Sequence, residues 1–108
     1  MNGSVHAQEG QISIAEIDSI LGKEEILDIR EPYECAMGML DGAVNIPMNQ
    51  LLVAPDDYLE PGKTYYIVCH SGSRSGSACR MLRAAGYDVV NVAGGMGRYP
   101  GTRYKQGW

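Results

Sequence analysis

The chain has 108 residues, 44% of them hydrophobic, and a formal charge of −4 at pH 7, which fits one compact domain with one modest core. The acidic balance excludes general nucleic-acid binding, which needs a basic face to displace phosphate counterions, and it disfavours docking on anionic membranes. No apolar run approaches the length of a membrane span, and Met1 to Gln8 lack a basic head followed by an apolar core, so a cytoplasmic address is expected.

Residues 1–10 read as a lead-in, 11–100 as the domain and 101–108 as a C-terminal tail to which the sequence assigns no role. In chain order, Gln11-Ile12 is a candidate edge strand. Ser13 followed three residues later by Glu16 is the reciprocal cap of a helix start, and the helix should run to about Leu21 and close at Gly22. Ile26 to Ile29 is a short apolar strand that breaks at Arg30-Glu31-Pro32, where proline opens a short helix around Tyr33 to Met37. Gly42 to Pro47 is a second short strand, followed by a helix or turn from Met48 to Leu52.

Pro61-Gly62-Lys63 is a turn, and Thr64 to Cys69 is the strongest strand, aromatic and β-branched with little polar alternation, as expected when both faces are covered. Ala78, Met81, Leu82 and Ala85 then recur at helical spacing, with Gly86 as a left-handed cap. Asp88 to Val92 is the last strand, broken by Gly94-Gly95. Strands and helices alternating over short connections imply parallel pairing through right-handed crossovers, hence a three-layer α/β domain. Ligand sites in such sheets gather past the carboxyl ends of strands, which is where Arg30, Cys69 and Gly94-Gly95 fall.

Cys35, Cys69 and Cys79 form no Cys-x-x-Cys pair and have no nearby set of histidines, so reduced thiols are expected, with neither a disulfide framework nor a metal site. Cys69 is the informative one. The run Cys69-His70-Ser71-Gly72-Ser73-Arg74-Ser75 places a thiol at a strand end, then a loop of small residues, then a helix start. Unpaired N–H groups and the positive end of the helix dipole favour an anion there, so Cys69 should have a depressed pKa and a sizeable thiolate fraction. Small residues let successive amides turn inward, and Arg74 adds a permanent cation able to fork onto an anionic donor. A merely buried strand-end cysteine would leave the loop composition and Arg74 unexplained.

These features resemble the rhodanese homology domain from about Ile12 to about Tyr99. Leu27-Asp28-Ile29-Arg30-Glu31-Pro32-Tyr33-Glu34 resembles the family's opening Asp-x-Arg motif, Gly38 to Pro47 its Gly-His-Ile-x-Gly-Ala-x-Asn-Ile-Pro segment, and Val92 to Met96 its closing Gly-Gly turn, around the Cys-x-x-x-x-Arg loop. The resemblance implies a mainly parallel five-stranded sheet with helices on both faces. It also implies that a six-residue loop, which Cys69 to Arg74 is, goes with sulfur transfer, whereas related phosphatases and arsenate reductases have one residue more. The cradle then suits one sulfur atom rather than three phosphoryl oxygens. Met39, Asp41 and Tyr99 depart from the histidine, proline and tryptophan usual at their positions, and the first two should alter the crevice wall and partner choice.

The expected function is a thiosulfate sulfurtransferase. Cys69 takes sulfur from a small anionic donor, holds it as a persulfide without other cofactor, and gives it to cyanide, a thiol or a thiol protein, with His70, Ser71, Gly72, Ser73, Arg74 and Ser75 forming the binding loop and Asp28 and Arg30 supporting it. The rivals are a thiol-based phosphatase or arsenate reductase, and a non-catalytic binding module. His70 fits a loop-wall or solvent-facing role better than a general base. Cys35 and Cys79 fit packing better than resolving an intermediate, Arg80 and Arg83 a solvated helix face better than an anion-attracting collar, and Met37, Met39 and Met48 core filling better than a partner surface.

Overall fold

The computed structural model describes residues 10–105. Five strands form one parallel sheet in the order β1 (Gln11–Ser13), β6 (Asp88–Ala93), β5 (Thr64–Val68), β2 (Glu25–Asp28), β4 (Val44–Asn45). Every neighbouring pair runs parallel. Between them lie α1 (Pro32–Cys35), β3 (Met39–Leu40), α2 (Met48–Val53) and α3 (Ser73–Ala84), with short 3-10 helices at Ile14–Ser19, Pro55–Asp57 and Met96–Arg98.

The sheet is buried on both sides, and β5 shows why its sequence is so uniformly apolar. Tyr65, Ile67 and Cys69 point into a core with Leu51 of α2 and Ala78, Cys79 and Leu82 of α3. Tyr66 and Val68 point into the opposite core, with Ile14, Ile17, Cys35, Met39, Leu40 and Met96. The period-two alternation of a strand thus divides one apolar run between two layers of cover. Register aligns the exits of the strands: Asp28 lies opposite both Val68 and Asn45, and Ile67 opposite Asn91.

Three local expectations are corrected. The helix expected from Ser13 is a 3-10 helix; Ser13 accepts the Ala15 amide at 3.1 Å rather than forming a reciprocal cap with Glu16. Ile14, Ile17 and Ile20 are all buried, and their spacing of three suits a helix of three residues per turn. In α3 the buried face is Ser75, Ala78, Cys79 and Leu82, whereas Met81 is 58% exposed and Ala85 is also exposed. Ser75 sets that phase, because it is drawn inward against Cys69.

The tail is the third correction. Tyr104–Lys105 form β7, antiparallel to β3, with Leu40 opposite Tyr104 and Met39 opposite Lys105. The Asp41 amide donates to the Arg103 carbonyl at 2.8 Å, and Lys105 Nζ donates to the Ala43 carbonyl at 2.6 Å. Residues 101–105 therefore continue the packed structure past residue 100. The lead-in other than Gly10, and residues 106–108, lie outside the described residues. Among the described residues no helix is long and apolar enough to cross a membrane.

Candidate active site

Cys69 follows the last residue of β5 and opens a loop that turns into α3 at Ser73. Gly72, at φ +97°, makes the turn possible, since an L side chain is disfavoured there; a Cβ on it would also sit 3.0 Å from the Gly94 amide nitrogen. The turn aims amides at the sulfur. Gly72 N donates to Cys69 Sγ at 3.1 Å and Ser75 N at 3.3 Å, and the Ser75 hydroxyl lies 3.3 Å away. These amides belong to the first turn of α3 and its approach, where the helix has no carbonyl of its own to offer them.

The thiol is fully buried. Burial alone would raise its pKa, but the Ser75 hydroxyl and the Ser75, Gly72 and Ser71 amides prevail, and it is lowered from the ordinary 9.0. Cys79 and Cys35 take the opposite course. Burial pushes each to about 11, with the charge of Asp28 adding to the effect at Cys35. Of the three sulfurs, Cys69 is thus set apart by the donors that converge on it.

The Gly94-Gly95 turn holds the loop from behind. Met96 N donates to the Cys69 carbonyl and Gly97 N to the His70 carbonyl, both at 2.8 Å. Gly95 has φ +63°, and a Cβ there would lie 2.3 Å from the His70 carbonyl oxygen. Two backbones meet at a distance that only glycine permits. His70 is exposed, and its ring faces Gly97, where a Cβ would come within 2.9 Å of it. His70 thus stands on the wall of the loop and faces solvent.

Beside the loop lies a cleft of about 380 Å³ lined by Arg30, Tyr33, Glu34, Met37 and His70. Arg30 is buried and tied to Asp28 through Nε at 3.0 and 3.1 Å and Nη2 at 2.8 Å, and it also donates to the Gly38 carbonyl at 2.9 Å. Asn45 Nδ2 joins the Asp28 and Arg30 carbonyls at 2.8 and 2.9 Å. These bonds fix the ends of β2 and β4 and the exit of α1. None of them reaches the cysteine loop, so Asp28 and Arg30 shape the cleft wall rather than brace the loop.

Arg74 also departs from expectation. Its prongs do not stand free for an anion: Nη1 and Nη2 donate to Glu34 Oε1 and Oε2 at 2.9 and 2.8 Å. This pairing holds the Glu34 carboxyl down to about 2 and raises Arg74, whose charge is further favoured by Cys69. No local pattern signals Glu34 as Arg74's partner, since 40 residues separate them. The cleft lining by Tyr33 and Met37, 73% and 88% exposed, was equally hidden in the sequence. Arg83 is no collar residue, because it donates to the Val89 and Gly10 carbonyls. Arg80 remains on the exposed helix face. The methionines divide: Met39 is core, Met48 half-buried, and Met37 exposed on the cleft.

Comparison with known proteins agrees with this architecture. The Rhodanese-like domain family matches residues 13–99. YtwF of Bacillus subtilis is 36% identical over 100 residues, covering 83% of this chain and 94% of YtwF. A sulfurtransferase of Allochromatium vinosum is 36% identical over 72 residues, 66% of each chain. The crystal structure of a rhodanese-like domain protein from Staphylococcus aureus superposes with a TM-score of 0.77 at 33% identity, covering 87% of this chain and 94% of that one. With the family match spanning most of the chain and the parallel five-stranded sheet in common, the protein belongs to the rhodanese-like domain family.

Proposed function

We propose that this protein is a sulfurtransferase in which Cys69 carries sulfane sulfur as a persulfide. With thiosulfate, the Cys69 thiolate attacks the outer sulfur, the S–S bond of the donor breaks, and sulfite leaves with the electron pair. Cyanide or a thiolate then attacks the outer sulfur of the persulfide and returns Cys69 as thiolate. Charge is conserved in both steps and no metal or organic cofactor takes part. The loop amides hold the negative sulfur in each resting state without having to reorganise.

The observation that carries this reading is the convergence of the Gly72 and Ser75 amides on Cys69 Sγ at 3.1 and 3.3 Å. It supplies the lowered thiol pKa that sulfur chemistry needs. The six-residue loop agrees, being short for a phosphoryl or arsenate cradle. Reduced Cys35, Cys69 and Cys79 suit a reducing compartment such as the cytoplasm.

The test is thiocyanate formation from thiosulfate and cyanide, together with the intact mass after exposure to donor alone. The expected results are turnover and a gain of one sulfur atom, both lost in Cys69→Ala. Turnover surviving in that variant would overturn the assignment. Aryl-phosphate hydrolysis dependent on Cys69 would favour the phosphatase class instead, and absence of sulfur gain a binding module.

A further inference from the structure

Two cations beside the cysteine loop, Arg30 and Arg74, are already matched by carboxylates of this chain. Arg30 is bound to Asp28, whose side chain is fully buried, and Arg74 gives both prongs to Glu34. Glu34 is not a wandering surface charge. Its Oε1 also accepts the Glu31 amide at 2.9 Å, and its place on α1 puts it in the cleft wall. The chain's net charge of −4 adds no long-range attraction for an anion. The rest of the cleft wall includes the exposed side chains of Tyr33 and Met37, an aromatic and an apolar surface. A cleft of this kind beside the loop attracts a dianion weakly.

We propose that Glu34 is a specificity-determining residue that, by occupying Arg74, turns the site away from dianionic donors and toward sulfane donors of lower charge, the persulfides of organic or protein thiols. This rests on the sulfur-carrier reading above and names its donor class. In the step it favours, the Cys69 thiolate attacks the outer sulfur of R–S–SH. The new S–S bond makes Cys69–S–SH, the donor's S–S bond breaks, and its electron pair leaves on R–S⁻, so no outside oxidant or reductant is needed. A neutral or singly charged donor loses little from the pairing of Arg74 with Glu34. A dianion loses the attraction twice over, because Coulomb energy scales with charge.

The test compares the intact protein with Glu34→Gln, which keeps an acceptor for the Glu31 amide and removes the charge. Thiosulfate, a dianion, and methanethiosulfonate, a monoanion, serve as donors, with cyanide as acceptor. In Glu34→Gln the KM for thiosulfate should fall about three- to tenfold at low ionic strength, and that for methanethiosulfonate by about the square root of that factor. The change should sit in KM rather than kcat and shrink as salt is added. Equal changes for the two donors, or none, would overturn the proposal while leaving Cys69 a sulfur carrier. If the wild-type protein gains no sulfur from either donor or from glutathione persulfide, the carrier reading fails and takes this proposal with it. Should the variant not fold, the wild type decides the matter alone: kcat/KM for thiosulfate should hold or rise with added salt, and a steep fall would mean that Arg74 is not masked.

Discussion

Cys69 and Cys79 lie in the same core layer, equally shut from solvent, one at the entrance to α3 and the other in its second turn. Burial acts on both in the same direction, yet one thiol is lowered and the other rises to about 11. The difference lies in what the helix offers at each position. Amides at the start of a helix have no carbonyl four residues back and are free to face a sulfur, whereas those in the interior are spent on the helix itself. Apolar packing therefore makes a thiol inert unless the backbone beside it has donors to spare, and the Ser71–Ser75 turn is built to have them.

The sharpest way to break this comparison is to remove each sulfur in turn. Cys69→Ala should lower thiocyanate formation by at least about a thousandfold. Cys79→Ala should keep transfer and cost about 1 kcal/mol of stability through lost packing, read by urea unfolding. Loss of transfer in Cys79→Ala with an intact fold would mean that the second thiol takes part in the chemistry.

A second test attacks the scaffold rather than the sulfur. Gly95→Ala places a methyl group 2.3 Å from the His70 carbonyl oxygen and 2.6 Å from that of Cys69, at a φ of +63°. Unfolding stability should fall by about 2–4 kcal/mol, with transfer lost alongside it as the loop is pushed off its backing. A variant with unchanged stability would show that the Gly94-Gly95 turn does not hold the loop in place.

How much of this was legible in the sequence follows the range of the interactions involved. The loop from Cys69 to Ser75 was readable because strand end, small residues and helix start are local signals, and the parallel sheet because short strands alternate with helices. Contacts between distant segments were not. Arg74 looked like a free anion fork because nothing near it in sequence announces Glu34. Residues 101–105 looked like a tail because two residues of strand carry no periodicity, and only pairing with Met39–Leu40 makes them a strand. The phase of α3 escapes the sequence for a related reason. Ser75 is polar, which argues for an outward place, yet its hydroxyl has a buried partner in Cys69 and so can enter the core.

That hydroxyl sharpens the comparison of the two thiols at the level of one hydrogen bond. Ser75→Ala keeps the amide donors and deletes the Oγ contact of 3.3 Å. The Cys69 pKa should move up toward its ordinary value. Since only the thiolate attacks, Cys69 alkylation by iodoacetamide at pH 7 should slow by up to about tenfold, the worth of one hydrogen bond to a charged group. A pH profile of the rate should shift to higher pH without losing its plateau. A lower plateau at unchanged midpoint would place the role of Ser75 in access rather than in charge.

The smallest effect concerns the pair that caps the other end of the loop. Glu34 falls from an ordinary 4.5 to about 2, first through its hydrogen bonds with Arg74. Because the folded value lies below the unfolded one, the pair's contribution is fully present above about pH 4.5 and is lost as pH falls through about 2. The Arg74 side chain is 38% exposed and solvent screens the pair, so that contribution is about 1 kcal/mol rather than the full worth of the shift. Glu34→Gln should thus be less stable than wild type by about that amount in urea unfolding at pH 7, with the two curves converging as pH approaches 2. A gap that stayed constant across the range would assign the loss to packing in α1, and the ion pair would then contribute nothing to holding Arg74 at the edge of the cysteine loop.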